Sequence, residues 1–514
     1  DLAADETITS TPAIDGQNGG AITITANVGA MNLDGDLVSS GANNAGGNGG
    51  NAGVITLTGT GAATITVDGL ITSTGGTGAA GFDGGNGGNV DFDTANQQIV
   101  LESTTINTSG GTGDTQGDGG TVAFAFGDPV VLSAGASVIT TGATNGDIDF
   151  LGTVNGTQDL TLTAGTGNIF FSGIVGDTDS LGLVTVNQAN NVTISAAFTS
   201  TGFNQPLATA GTGVFDLDGL MTSSGAVVIS SSEVDLDNSI VAPGQNVTVT
   251  STGSGLLGGL GTSLAATFAV NTQSAEDSGI PSGNIVFDAQ TGDIELAGDL
   301  ISAGRNNNFI AGSNAGSISI ATAQAGDAIF ISGAVNANGG SSDFAGADGG
   351  NANTITITTN AGNTILSATT VSAAGGVPGV GGTDGDGANI LFNTSGANGT
   401  VTLAGGGLTM ISTGTTAGNI NFTGVAVEST AGESLTLTSG NGDITFGETV
   451  GAATALGVVT IAESNNVTLS DAFTAAQLAQ TVLGAGTFSN DGVLTTTTGG
   501  VQIQSETVDL DSAI

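Results

Sequence analysis

Pairs of aspartates two residues apart recur along this 514-residue chain and are its best candidates for a chemical site. The pairs are Asp91 and Asp93, Asp216 and Asp218, Asp235 and Asp237, and Asp509 and Asp511. In an extended strand, residues two apart share a face, so each pair presents both carboxylates on one side. Like charges about 5 Å apart repel by roughly 1 kcal/mol in water, and a hard cation between them reverses the sign. The pattern predicts Ca²⁺ sites, and the alternative is a row of solvated acids.

A second set of acidic residues lies in glycine-rich segments. Five such segments interrupt the strand pattern, at residues 41–53, 75–88, 110–120, 339–350 and 375–387. Their candidate calcium ligands are Asp83, Asp114, Asp118, Asp348, Asp384 and Asp386. The run from Phe82 to Phe92 is similar to the calcium-binding nonapeptide of RTX proteins, although it has Asn89 where that repeat has Asp. These residues give a second prediction of Ca²⁺, and the sequence predicts no other cofactor.

The residue types that the chain lacks argue against catalysis. It has no His and no Cys, so it can form neither a thiol or imidazole catalytic pair nor the usual zinc sites. Arg305 is its one basic residue, which leaves a polysaccharide lyase without a base. Paired carboxylates can hydrolyse glycosides, but here the pairs recur along the whole chain, as is typical of a surface pattern. We therefore predict that the protein is not an enzyme.

The charge balance restricts the partners. Forty-five acidic residues face one basic residue, for a net charge of −44. Nucleic acid is excluded because phosphate binding needs Lys and Arg, and an anionic membrane surface is disfavoured for the same reason. No apolar run approaches the length of a membrane span. Such a surface favours high ionic strength or bound divalent cations.

Long-range repetition predicts a scaffold. Residues 160–176 read LTLTAGTGNIFFSGIVG, and residues 435–451, about 275 positions later, read LTLTSGNGDITFGETVG. A stacking architecture repeats itself in this way, whereas a catalytic domain rarely does. We predict two long repeats, residues 1–240 and 241–514, continuous with each other and belonging to a longer array.

Short strands predict the fold within each repeat. The pattern Gly-[Asp/Asn]-Ile-x-Phe begins at Gly146, Gly167, Gly283, Gly418 and Gly442, and alternating strands follow it. Three short strands in roughly 20–25 residues form one rung of a parallel β-helix, an all-β solenoid. The aromatic residues expected to stack inside it are Phe150, Phe171, Phe287, Phe422 and Phe446. The main alternative is an array of β-sandwiches. The glycine-rich segments are either flexible loops or extended strands that stack with backbone pairing.

With these rungs and its Gly-Gly-Asn inserts, the sequence resembles large repetitive bacterial exoproteins. They include filamentous-haemagglutinin-type adhesins and giant β-strand-repeat surface proteins. The resemblance implies a right-handed parallel β-helix, an extracellular or cell-surface location, and a role in adhesion or surface architecture. The near absence of basic residues departs from many haemagglutinin-type members and argues against binding to sulfated glycans.

Three functions fit these expectations. The first is a segment of an extracellular filament, sheath or surface layer, in which the chain assembles with itself head to tail or laterally through noncovalent stacking and calcium bridges. The second is the stalk of a secreted adhesin that presents a separate binding tip. The third is an ice- or carbohydrate-binding β-helix, which needs a regular Thr array on a flat face. Further expected partners are surface proteins or polysaccharide, without nucleic acid or membrane insertion.

Overall fold

The structure is a computed structural model. It describes the chain except residues 145, 208–210, 254–261, 265–267, 368–369, 397–398 and 483, and except the side chains of 262–264 and 485. Within these limits the chain is all-β and contains no α-helix. It forms two compact units, Asp1–Asp237 and Asn238–Ile514. The division into long sequence repeats at 240/241 stays a prediction.

No helix in the described part of the chain is long and apolar enough to cross a bilayer.

Strand pairing defines the architecture of each unit. In the first unit Ile22–Ala26 pairs in parallel with Ile55–Gly59, which pairs in parallel with Val90–Asp93. The second unit shows the same orientation, for example between Ile355–Asn360 and Ile390–Thr394. Parallel neighbours cannot be joined by a hairpin, so the chain crosses other faces before it returns to the same stack. This is the pairing of a β-solenoid, and it makes the β-sandwich alternative wrong.

The first unit contains three stacks of parallel strands. The first stack consists of Ile22–Ala26, Ile55–Gly59, Val90–Asp93, Val122–Phe124, Ile148–Phe150, Ile169–Phe171, Val192–Ile194, Val214–Leu217 and Glu233–Leu236. The second consists of Met31–Leu33, Ile65–Val67, Ile99–Leu101, Val130–Leu132 and Val154–Asn155. The third consists of Thr7–Thr9, Asp36–Val38, Ile71–Thr72, Thr105–Asn107, Ala136–Ile139, Leu160–Thr163, Leu181–Gln188, Phe198–Asn204, Met221–Ser223 and Val227–Ser231.

The second unit repeats this arrangement. Its first stack consists of Val247–Ser251, Ile285–Ala289, Ile318–Ala325, Ile355–Asn360, Ile390–Thr394, Ile420–Phe422, Ile444–Phe446, Val467–Leu469, Gly484–Asn490 and Ser505–Leu510. Its second consists of Thr262–Leu264, Ile294–Leu296, Ile329–Ile331, Asn363–Ser367, Gly399–Ala404 and Val425–Ser429. Its third consists of Ile240–Val241, Ala269–Asn271, Asp299–Ile301, Val335–Asn336, Thr370–Ser372, Leu408–Ile411, Leu435–Thr438, Leu456–Glu463, Phe473–Gln480, Leu494–Thr496 and Val501–Gln502.

Stacked aromatic rings fill part of each interior. The rings of Phe92, Phe124, Phe150 and Phe171 follow one another with centroids 4.8–5.2 Å apart and nearly parallel planes. In the second unit Phe392, Phe422 and Phe446 stack with centroids 5.1 Å apart. The interior positions predicted for Phe150, Phe171, Phe422 and Phe446 are therefore confirmed. Residue types one rung apart decide whether a buried ring joins such a stack.

The aromatic stacking predicted for Phe287 is wrong, although the residue is interior. It is fully buried, but its register partners are Val249 and Ile320, so its neighbours along the stack are aliphatic. An aromatic pair adds about 0.5–1.5 kcal/mol beyond the area that it buries. We expect Phe150→Leu to lower the free energy of unfolding by about 1–2 kcal/mol more than Phe287→Leu does, because only Phe150 has two stacked neighbours. Equilibrium denaturation of the two variants measures this difference, and equal losses would contradict it.

The rungs are longer than predicted wherever they include a glycine-rich segment. Ile22 pairs with Ile55, Ile55 with Val90 and Val90 with Val122, and a glycine-rich segment lies within each of these three rungs. Ile148, by contrast, pairs with Ile169 in a shorter rung that contains no such segment. The predicted rung length is thus wrong for the longer rungs. The cause is that the glycine-rich segments are built into the coil.

These segments form what we call the glycine bundle, residues 41–53, 75–88 and 110–120 in the first unit and 304–316, 339–350 and 375–387 in the second. Backbone amide-to-carbonyl hydrogen bonds connect its neighbouring strands. In the first unit Gly50 donates to Ala42 at 2.9 Å, Gly76 to Gly50 at 2.8 Å and Gly85 to Gly76 at 2.9 Å. The sequence left two alternatives for these segments, and stacked extended strands are the correct one.

The second unit has the same pattern of backbone hydrogen bonds. Ser313 donates to Arg305 at 3.0 Å, Gly340 to Ser313 at 2.9 Å, Gly350 to Gly340 at 2.7 Å and Gly376 to Gly350 at 2.9 Å. The segment 304–316 was not among the predicted glycine-rich segments, because Arg305 and three consecutive asparagines interrupt its glycines. Its backbone nevertheless occupies a full layer of the bundle.

Candidate functional site

Four of the predicted aspartates form an acidic cluster in the first unit, consisting of Asp216, Asp218, Asp235 and Asp237. Asp216 lies directly opposite Asp235 in the parallel register, and Leu217 lies opposite Leu236. Burial raises the pKa of Asp216, and the charges of the other three carboxylates raise it further. Asp235 is the chief cause of the raised pKa of Asp237. The repulsion expected from the sequence is therefore present in this cluster.

The other two predicted pairs have different neighbours. Asp91 lies between Thr56 and Ala123, so no carboxylate lies directly opposite it, and burial raises its pKa. Asp93 lies opposite Thr58. Asp509 lies opposite Ser489, and Asp511 donates its backbone N–H to the Asn490 carbonyl at 3.1 Å. The spacing of two residues predicted that the aspartates of a pair share one face. It could not predict which residue of the next rung lies opposite each of them.

The metal prediction gains no support from this geometry. Within the described residues, no three His, Cys, Asp or Glu side chains are grouped so that they could hold a metal ion. Calcium binding by any of the predicted aspartates stays a prediction.

Asp83 and Asp118 lie in an open groove on the glycine bundle of the first unit, which we call the first groove. It has a volume of about 550 Å³. One ridge carries Asn48, Asp83 and Thr115, and the other carries Asn51, Asn86 and Asp118. Between the ridges, Gly49 and Gly84 contribute backbone only. On the two rungs that contain Gly49 and Gly84, polar side chains therefore line both sides of a floor without side chains.

Hydrogen bonds between rungs fix the second ridge. The Asn18 Oδ1 accepts from the Asn51 N–H at 2.8 Å, and the Asn51 Oδ1 accepts from the Asn86 N–H at 2.8 Å. The Asn86 Oδ1 accepts from the Asp118 N–H at 3.0 Å, and Asp118 accepts from the Thr144 N–H at 3.1 Å. Each side chain thus takes its orientation from the backbone of the next rung.

Asp384 and Asp386 lie in a corresponding groove on the second unit, the second groove, of about 490 Å³. The Asn314 Oδ1 accepts from the Asn351 N–H at 2.8 Å, the Asn351 Oδ1 from the Asp386 N–H at 2.9 Å, and Asp386 from the Thr416 N–H at 3.0 Å. The hydrogen bonding from rung to rung is therefore the same in both grooves, although the residues differ.

The opposite ridge of the second groove contains a carboxylate held in the same way. Asp348 accepts from both the N–H and the hydroxyl of Thr383, each at 2.8 Å. These bonds lower the pKa of Asp348. A carboxylate that is ionised and fixed in orientation presents a defined acceptor to the groove.

The asparagines of both grooves are the residues that the sequence analysis missed. Four of the six, namely Asn48, Asn51, Asn86 and Asn351, end a Gly-Gly-Asn triplet. A period of three is the period of extended glycine-rich helices in which every third residue points the same way. That period, followed through the segments, would have found the asparagine ridges.

Among the carboxylates on the strands of the first unit, Asp149 has the pKa that differs most from its ordinary value. It is half-buried between Ala123 and Phe170 in the register, and burial, with a contribution from Asp147, raises its pKa to about 6. A folded-state pKa above the unfolded value gives stability at low pH that is lost as the pH rises through about 6. After allowance for solvent screening, we expect Asp149→Asn to stabilise the protein by about 1 kcal/mol at pH 7 and by almost nothing at pH 4.

Thermal melts of wild type and Asp149→Asn at both pH values measure this effect. Asp68→Asn removes one negative charge from an exposed position and is the matched control. A gain for Asp149→Asn that is as large at pH 4 as at pH 7 would rule out titration of Asp149 as its cause.

The grooves and the acidic cluster lie on a scaffold whose strand register is fixed by buried aliphatic and aromatic residues. Comparison with known proteins adds no further assignment. No family model, no curated protein and no solved structure matches the chain.

Proposed function

We propose that this protein is a non-enzymatic structural protein of the bacterial cell surface, a repeating segment of an extracellular filament, sheath or surface layer. The observation that carries the proposal is the parallel pairing from rung to rung within each unit, with the glycine bundle joined to it by its own hydrogen bonds. Even the glycine-rich segments are built into the coil. Strand pairing of this kind makes each unit a stiff scaffold.

The proposed coil is a right-handed parallel β-helix. Copies of the chain join one another noncovalently, head to tail or laterally, and divalent cations such as Ca²⁺ bridge their acidic surfaces. The charge supports the need for cations, because 45 acidic residues face one basic residue. The Arg305 Nη2 and the Glu276 Oε2, 3.6 Å apart, form the ion pair found in the described part of the chain. The remaining acidic surface needs ions from solution.

Negative-stain electron microscopy of the purified protein, with calcium and then with a chelator, tests the proposal. We expect long filaments of uniform width that shorten when the chelator removes calcium, together with a lower melting temperature in the chelator at low salt. Repulsion between the carboxylates is the physical reason for both effects. Sodium chloride at high concentration is the control, since screening should restore the melting temperature without restoring specific bridges.

Isolated particles in both conditions would contradict self-assembly. They would favour the second candidate, the stalk of a secreted adhesin that presents a separate binding tip. An unchanged melting temperature would remove calcium from the proposal while leaving assembly by strand stacking to be judged from the filaments.

A further inference from the structure

The two grooves share one design although their sequences differ. Both have two ridges three residues apart along the chain, repeated on three successive rungs. On the third rung, the residue that follows the first ridge is not glycine. It is Gln116 in the first groove and Asp384 in the second. The same groove therefore occurs once in each unit, with an equivalent boundary on the third rung.

The glycine bundle explains why the ridges face outward. An added Cβ at Gly49 would overlap the carbonyl of Gly76, and one at Gly50 would overlap the carbonyl of Gln17. At two of every three positions, neighbouring backbone therefore fills the space that a Cβ would need. Only the third position can carry a side chain. In the first groove this position holds Asn48 and Asn51. Their amide oxygens accept backbone N–H groups of the next rung, Asn48 from Asp83 at 3.0 Å and Asn51 from Asn86 at 2.8 Å, so these side chains both join the rungs and line the groove.

The ridges present oriented donors and acceptors. The amide oxygens of Asn51 and Asn86 each accept a backbone N–H, so their NH₂ groups have a fixed direction and two donors each. In the second groove Asp348 is fixed by Thr383 through one oxygen, and its other oxygen lies outside that pair of bonds. These groups recur with the strand spacing of about 4.8 Å. Because they are already ordered, they lose little side-chain entropy when a ligand bonds to them.

We propose that each groove binds a segment of a neutral, extended, β-1,4-linked polysaccharide, lying along the direction in which the rungs stack. Hydroxyl groups of such a chain recur at an interval comparable to the rung spacing, and planar amides and carboxylates bond to neighbouring hydroxyls in pairs. The volumes of about 550 and 490 Å³ suit a short run of sugar rings. This function goes beyond a structural role, since a scaffold needs no ligand.

The charge of the grooves selects against anionic chains. Asp83 and Asp118 line the first groove, and Asp348, Asp384 and Asp386 line the second, while neither has a basic residue among those that line it. A uronate or sulfated polymer would place like charges within a few ångströms, at roughly 1 kcal/mol per pair even in water. A neutral polysaccharide avoids this repulsion.

Isothermal titration calorimetry with cellohexaose and mannohexaose, in buffer with EDTA, tests the inference. The expected result is saturable binding of at least one hexasaccharide with two sites per chain. Asn48→Ala with Asp83→Ala should remove one site, and Asp348→Ala with Thr383→Ala should remove the other. All four together should abolish binding. Asp68→Ala, on an exposed position outside both grooves, should leave two sites.

Several results would overturn the inference. One is the absence of saturable binding of either hexasaccharide to the wild-type protein. Another is full binding by the fourfold variant, which would place the sugar elsewhere. Equally tight binding of hexagalacturonate would contradict selection for neutral chains. Circular dichroism melts of each variant establish that the coil is intact, and filament formation is assessed separately, so a failure of the sugar site is distinct from a failure of the structural role.

Discussion

Replacing Gly85 by alanine is expected to weaken the glycine bundle of the first unit by about 3 kcal/mol or more. The added Cβ would overlap the carbonyl group of Gly50 on the neighbouring strand. The strands would have to separate, which puts at risk the bonds from Gly85 to Gly76 at 2.9 Å and from Gly111 to Gly85 at 2.7 Å. Two hydrogen bonds at about 1 kcal/mol each, with an overpacking cost of about 1–3 kcal/mol, give this estimate.

Amide hydrogen exchange at Gly85 and Gly111 measures the effect directly, as a rise in exchange of about a hundredfold or more for 3 kcal/mol. Gly46→Ala is the matched control. An added Cβ at Gly46 meets no atom within 4 Å, so this variant is expected to be neutral or stabilised by up to about 1 kcal/mol through the unfolded chain. Similar exchange in both variants would mean that the bundle tolerates side chains and that its hydrogen bonds do not require glycine.

The sequence was sufficient to predict the strands and much of the core. Alternation of apolar and polar residues identified strands such as Ile55–Gly59, in which Ile55 and Leu57 are buried and Thr56 is half-exposed. The recurrence of Ile-x-Phe predicted the stack through Phe150 and Phe171, because residues two apart share one face and each repeat of the motif places a Phe at the same position of its strand. These features depend on local periodicity, and local periodicity is visible in a single chain.

Contacts between rungs could not be predicted in the same way. Asp91 has Ala123 as its partner on the next rung, whereas Asp216 has Asp235, which lies much nearer to it along the chain. Rung length varies with the presence of a glycine-rich segment, so equal motifs do not become neighbours at equal spacing. Two of the four predicted pairs therefore form the acidic cluster, whereas Asp91 and Asp509 of the other two lie opposite Ala123 and Ser489.

The glycine-rich segments show a second limit. Their composition suits both a flexible chain and a packed bundle, because glycine lowers the cost of close backbone contact and raises the entropy of the unfolded state. What distinguishes the two is the period of three in the outward residues, such as Asn48 and Asn51, together with the hydrogen bonds that align Asn51, Asn86 and Asp118 from rung to rung on one ridge. The grooves proposed to bind polysaccharide follow from this period and are absent from any reading based on strand alternation alone.

Exchanging the residues at one interior position of the two units is expected to shift stability in opposite directions. Leu217 lies between Ile194 and Leu236 in the first unit. Asn490 lies between Leu469 and Leu510 in the second. Both side chains are fully buried, but Asn490 has no hydrogen-bond partner for either polar atom of its side chain among the described residues. An amide in this position keeps the full cost of its desolvation.

We expect Asn490→Leu to stabilise the second unit by about 2–3 kcal/mol, through relief of that cost and burial of an aliphatic side chain. Leu217→Asn should destabilise the first unit by about 3–5 kcal/mol, because it loses leucine packing and gains a buried amide. Hydrogen exchange of the strands Gly484–Asn490 and Val214–Leu217 measures the two local changes separately. If Asn490→Leu proves neutral or destabilising, the Asn490 amide must be bonded in solution, and the interior of the second unit must be polar at this rung.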